Sequence, residues 1–164
     1  SVWAQAPGQL AQLQTGDLLS SFAFTGEDGQ VGNVTDYRGR AVAFTFVFTR
    51  CPLPDFCPRM SRHFSRAREL LLARPDAPTN WQFLSISFDP DFDRPEVLAR
   101  YATQDALAPA VDLRVVPEEG SFLHNLRTVV LNTQGRIFRQ FDRNDWTPEE
   151  LADALVQAAR VPMP

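Results

Sequence analysis

The stretch from Ala41 to Met60, AVAFTFVFTRCPLPDFCPRM, constrains this chain more than any other. Its first half, Ala41 to Thr49, is an unbroken β-branched and aromatic run, the pattern of a central strand buried on both faces. That run leads into a turn holding both cysteines of the chain, Cys51 and Cys57. Pro52, Pro54 and Pro58 interleave with them, which suits a rigid, exposed turn better than two thiols packed as small hydrophobes. After Pro58, the segment MSRHFSRARELLLAR sets Phe64, Ala67, Leu70 and Leu71 on one side at helical spacing. The expected unit is strand, cysteine turn, helix. A thiol where a strand feeds a helix sits in the positive field of the helix N-terminus, which favours the thiolate and suits redox work or metal binding.

The flanking segments complete an α/β pattern. Leu18 to Phe24, the Asp28-Gly29 turn and Val31 to Tyr37 predict an N-terminal hairpin. Trp81 to Asp89 reads as a second apolar strand, and Asp93 to Tyr101 as a helix with Asp93 as N-cap, Pro95 in the first turn and Glu96 closing a capping box. Asp89, Asp91 and Asp93 also stand near the strand's end, but capping and turn roles explain them as well as catalysis does. Arg127 to Thr133 and Arg136 to Phe141 flank Gln134-Gly135 as an antiparallel hairpin. TPEELADALVQAAR follows as a last helix capped by Thr147.

Composition bounds the partners. With 164 residues and 44% hydrophobic residues the chain is long enough for one domain with its own core. A formal net charge of -4 gives no basic surface for nucleic acid. No run approaches the roughly 18 apolar residues of a membrane span.

Lead-in, β with cysteines entering α, then βα, then ββα is the element order of the thioredoxin fold: an α/β fold with a central β-sheet flanked by helices and an N-terminal β-hairpin extension. Ordinary redox thioredoxins use C-x-x-C, whereas the five residues PLPDF stand between Cys51 and Cys57.

From Gly16 to about Arg160 the chain resembles the Sco/SenC family of copper chaperones, and within it a subgroup with a CPLPxFCP cysteine motif. The resemblance runs through DYRGRAVAFTFVFTRC, the CP after the second cysteine, SISFDPDFDRPEVLARYA and HNLRTVVLNTQGRI. It implies a thioredoxin-like domain over residues 16–164, with residues 1–15 a linker or trimmed anchor region. It implies a metal site of Cys51, Cys57 and His124 that takes copper, Cu(I) or Cu(II), for the copper centre of cytochrome c oxidase. The acceptor would be a copper-binding protein such as a cytochrome c oxidase subunit. The place would be the periplasm, or a membrane anchor facing it. Soft thiolates select Cu(I), an imidazole also suits Cu(II), and zinc is the lesser candidate. Without the resemblance, His124 reads as a loop histidine that hydrogen-bonds at the start of a strand.

A second function uses Cys51 and Cys57 as a thiol–disulfide oxidoreductase that reduces the cysteines of a copper-site protein. A thiolate peroxidase trails both, since no supporting arrangement is recognisable around a peroxidatic cysteine. His63 is expected at the surface, and Met60 in the core rather than on a metal. The chain departs from the family pattern in two places. The family usually has three residues between its cysteines. Between Tyr101 and Val111 it usually has another strand and helix, for which ATQDALAPA is too short, so either the domain is trimmed there, losing a sheet edge, or a segment is missing from the sequence.

Overall fold

The computed structural model of this chain describes residues 13–19, 21, 23–47, 49–51, 55–87, 89–104, 112–115 and 127–164. Seven strands form one sheet: β1 (Ala23–Gly26), β2 (Val31–Asn33), β3 (Ala41–Val47), β4 (Trp81–Ser87), β5 (Asp112–Val115), β6 (Arg127–Leu131) and β7 (Ile137–Asp142). Among the described residues three α-helices accompany them: α1 (Cys57–Ala73), α2 (Pro95–Gln104) and α3 (Pro148–Ala159). The strand order is β2-β1-β5-β4-β3-β6-β7. β3, β4 and β5 run parallel, while β6, β7 and the β1–β2 hairpin are antiparallel to their neighbours. This is the α/β, thioredoxin-like arrangement that the element order implies.

Residue size along β3 explains why the sheet carries a core on each face. Ala41 and Ala43 belong to one cluster with Met60, Phe64 and Leu71 of α1 and Leu151, Ala154 and Leu155 of α3. Alternate residues Val42 and Phe44 belong to the other, with Leu84, Ile86, Val129, Leu131 and the lead-in residues Leu19, Phe24 and Val34. Two small side chains on one face let helices approach closely, and the period of two sends the larger ones to the opposite face. Phe44, Phe64 and Phe83 are fully buried, each stabilising the fold by about 1.5–3 kcal/mol relative to an exposed side chain.

Turn chemistry pins both hairpins. Gly29 adopts φ 79°, which a side chain would resist, and its N–H donates to Gly26 O at 2.9 Å. In the β6–β7 turn the Asn132 side-chain oxygen accepts from the N–H groups of Gln134 and Arg136, each at 3.0 Å. Thr147 caps α3 in a reciprocal capping box with Glu150, as expected.

Three expectations are corrected. The extended part of the first hairpin is shorter than the apolar pattern suggests, because Val34–Tyr37 winds into a 3-10 turn capped by Asn33. Helix α1 begins at Cys57 rather than after Pro58, since proline is tolerated in a first turn whose N–H groups have no helical acceptor. Asp93 is not the N-cap of α2. The helix starts at Pro95, and the Arg94 carbonyl accepts from Val97 and Leu98 N–H at 2.8 and 3.0 Å.

After α2, β5 pairs in parallel with β4 and joins the β1–β2 hairpin to the sheet. Residues 105–111 and 1–12 lie outside the described residues. Leu13, which follows the latter, packs against the second core, and its carbonyl accepts from Gln140 Nε2 at 2.8 Å.

Candidate functional site

The parallel register of β3 and β4 sets Val47 beside Ser87, so both strands leave the sheet at the same end. Such an edge, where parallel strands hand over to loops and helices, is where α/β folds place their chemistry. From β3 the chain passes through Thr49 and Arg50 to Cys51, which is half-buried. It returns at Asp55 and Phe56 to Cys57, which is buried and is the first residue of α1. Both cysteines carry thiols rather than a disulfide. The intervening Pro52, Leu53 and Pro54 lie outside the described residues.

Side chains from two other loops hold this turn. Asp93, wholly buried, accepts from Thr49 N–H at 3.0 Å, from the Thr49 hydroxyl, and from the Ser87 hydroxyl at 2.5 Å. Its own N–H donates to Asp89 O at 2.7 Å, and Asp89 N–H donates to the Ser87 hydroxyl at 3.1 Å. Arg50 pairs with Asp89 at 2.6 Å and lies over the Phe92 ring at 4.1 Å. The pair is largely exposed on its arginine side, so its worth is about 0–1 kcal/mol. At the far end of the turn, Asn144 Nδ2 donates to the carbonyl of Asp55. The cysteine turn is thus tied at its start to the β4–α2 loop and at its end to the β7–α3 loop.

Further along α1, Met60 is completely buried in the helix-side core, as expected of a packing residue. His63 is not the surface residue that its position suggests. It is half-buried and meets Trp146 edge-on, with ring centroids 5.0 Å apart. Burial holds its pKa below the ordinary value, and Arg59 and Arg62 push it the same way against the opposing pull of Glu149. Its Nδ1 and the Trp146 Nε1 are both buried with no hydrogen-bond partner among the described residues.

Of the three expected ligands, the structure describes Cys51 and Cys57 on one turn, while His124 lies outside the described residues. Among the described residues no third His, Cys, Asp or Glu joins the cysteines in a metal-holding group. The residues that sequence reasoning passes over are Thr49, Ser87 and Asp93 as a joint support of the turn. The crowding of Asp89, Asp91 and Asp93 behind an apolar strand is a visible signal. The partners of Asp93 are not, since Thr49 stands 44 positions earlier.

The family model SCO1/SenC matches residues 11–111, a span that contains both cysteines and ends before His124. Mouse mitochondrial protein SCO2 homolog is 31% identical over 102 residues, which cover 62% of this chain but only 39% of that protein. Among solved structures, BsSco, a member of the Sco family of cytochrome c oxidase assembly proteins in which a disulfide switch has been identified, superposes with a TM-score of 0.75. It is 18% identical, over 92% of this chain and 98% of its own. Yeast Sco1 with copper bound superposes with a TM-score of 0.74 at 19% identity, over 90% and 95% of the two chains. Bradyrhizobium japonicum ScoI, also with copper bound, gives 0.68 at 19% identity, over 87% and 99%. With a family match that spans more than half of its length and encloses the cysteine turn, this chain belongs to the SCO1/SenC family.

Proposed function

We propose that this chain is a copper-binding metallochaperone that assists assembly of the copper centre of cytochrome c oxidase. Copper is its cargo, held by Cys51, Cys57 and His124 and passed to an acceptor such as a cytochrome c oxidase subunit. The observation that carries this reading is the pair of thiols on one strand-to-helix turn, Cys51 half-buried and Cys57 opening α1. The donor set fits: thiolates are soft ligands suited to Cu(I), and an imidazole extends the set to Cu(II). Three protein ligands leave one side of the metal open to an incoming donor, unlike a closed four-ligand structural site. The copper-bound yeast and Bradyrhizobium relatives support the same choice of metal.

A titration of the reduced protein with Cu(I) against a competing chelator, comparing wild type with His124→Ala, tests it. Stoichiometric binding that the substitution weakens is the expected result. Binding no tighter than that of a generic dithiol would remove metal transfer from consideration.

A second reading is favoured by the placement of Cys51 and Cys57 on one turn and by the disulfide switch of BsSco. Here the pair reduces a disulfide in a copper-site protein: one thiolate attacks, a mixed disulfide forms, and the other thiolate displaces the reduced partner and leaves Cys51 and Cys57 joined. Retained disulfide exchange with lost copper affinity in His124→Ala would separate the two activities. Such chemistry belongs in an oxidising space, and we place the protein in the periplasm or anchored to the membrane that faces it, with a linker that ends before Leu13 rather than at residue 15, since Leu13 packs against the second core, and with residues 13–164 as the working domain. Among the described residues no helix is long and apolar enough to cross a membrane. Recovery of the protein only from a cytosolic fraction would contradict this placement.

A further inference from the structure

We propose that Asp93 is a positioning residue for the cysteine pair, acting through Thr49 to fix the direction in which the chain leaves β3 and so where Cys51 stands. The inference rests on the reading of Cys51 and Cys57 as the working pair.

Three observations carry it. Asp93 has no exposed surface, and its carboxylate takes both the N–H and the hydroxyl of Thr49, two positions before Cys51. Gripping the backbone and the side chain of one residue fixes its peptide orientation and its χ1 together, which a single hydrogen bond would not. The same carboxylate takes the Ser87 hydroxyl, so the ends of β3 and β4 are referred to one point. The neighbouring cation is engaged elsewhere, because Arg50 pairs with Asp89.

Burying a carboxylate is costly unless its oxygens are hydrogen-bonded, and here the donors are concentrated on the residue that launches the cysteine turn. Helix capping does not explain the position, since α2 begins two residues later on the Arg94 carbonyl. Without Asp93 the turn would have to be ordered anew each time the two sulfurs converge, whether on a metal ion or on each other.

Two constants report that convergence. One is affinity for Cu(I) measured against a chelator. The other is the equilibrium of the pair with glutathione disulfide, in which two thiols become one disulfide while two electrons and two protons pass to the oxidant, giving two glutathione thiols. Freeing about one residue in Asp93→Ala is expected to weaken Cu(I) binding about tenfold. Closure of the disulfide should become about tenfold less favourable, a rise of about 30 mV in potential. Thr49→Val, which loses one hydroxyl donor, should shift both constants the same way by about threefold, and Thr49→Ser should restore them.

Reduced thermal stability with both constants unchanged would make Asp93 a structural residue only and overturn the proposal. Should Asp93→Ala fail to fold, the Thr49 variants decide it. If wild type binds Cu(I) no better than a generic dithiol, the metallochaperone reading fails by itself, and the glutathione equilibrium still decides the role of Asp93.

Discussion

The side-chain amide of Asn144, in the loop between β7 and α3, donates a hydrogen bond to the backbone carbonyl of Asp55 at the end of the cysteine turn. This contact joins segments 89 positions apart and lies immediately before the helix that Cys57 opens. Asn144→Ala should lower stability by about 0.5–1.5 kcal/mol, the net worth of one such bond. It should also speed amide exchange at the start of α1 more than elsewhere. Denaturant unfolding and hydrogen-exchange mass spectrometry would read the two effects, and uniform exchange along the chain would show that Asn144 does not hold the turn.

The two thiols differ in access. Cys51 is half-buried, whereas Cys57 is 2% exposed. A small alkylating reagent on the reduced native protein should therefore modify Cys51 first, because reaction requires an accessible thiolate. Peptide mapping after short exposure would show the order. Equal rates would mean that α1 frays at its first turn.

His63 makes stability depend on pH. Its folded pKa lies below the unfolded value of 6.5, chiefly from burial and then from Arg59 and Arg62, with Glu149 opposing. The unfolded chain therefore takes up a proton more readily than the folded one. Stability from the neutral ring is complete above the unfolded pKa and is lost as pH falls through the folded pKa. Unfolding midpoints compared between about pH 7.5 and about pH 5 should fall on the acid side, less so in His63→Phe, which keeps an aromatic ring against Trp146 without the proton. Equal slopes for the two proteins would assign the pH dependence to other groups.

Ala43 occupies the helix-side face of β3 in the cluster that includes Met60 and Phe64 of α1 and Leu151 and Leu155 of α3. Its side chain has no exposed surface. Ala43→Leu should cost about 1–3 kcal/mol by overpacking, whereas helix propensity and charge are untouched. A calorimetric midpoint near that of wild type would show that the helices have room to shift outward.

The legible part of the fold was the part written in local pattern. The apolar runs of β3 and β4, the Asp28-Gly29 and Gln134-Gly135 turns and the Thr147 cap each depend on residues a few positions apart. The same holds for the two cysteines at the end of β3, since strand, turn and helix are consecutive there. Asp93 shows the opposite case. Followed by Pro95 and Glu96, it has the local features of an N-cap, yet its carboxylate serves Thr49 and Ser87. His63 is similar: helical spacing does not show that Trp146, from beyond β7, closes over it.

By itself the amino-acid sequence determined the α/β element order, the family resemblance and the position of both thiols on one turn, because these follow from periodicity, turn chemistry and adjacency along the chain. Only the tertiary structure decided that β5 lies between β4 and the first hairpin, and that Cys57 is the buried thiol opening α1. It alone placed the buried carboxylate of Asp93 behind Thr49. The physical reason is that strand pairing, burial and buried hydrogen bonds join residues distant in sequence, and such partners are chosen by the packed whole rather than by neighbouring residues.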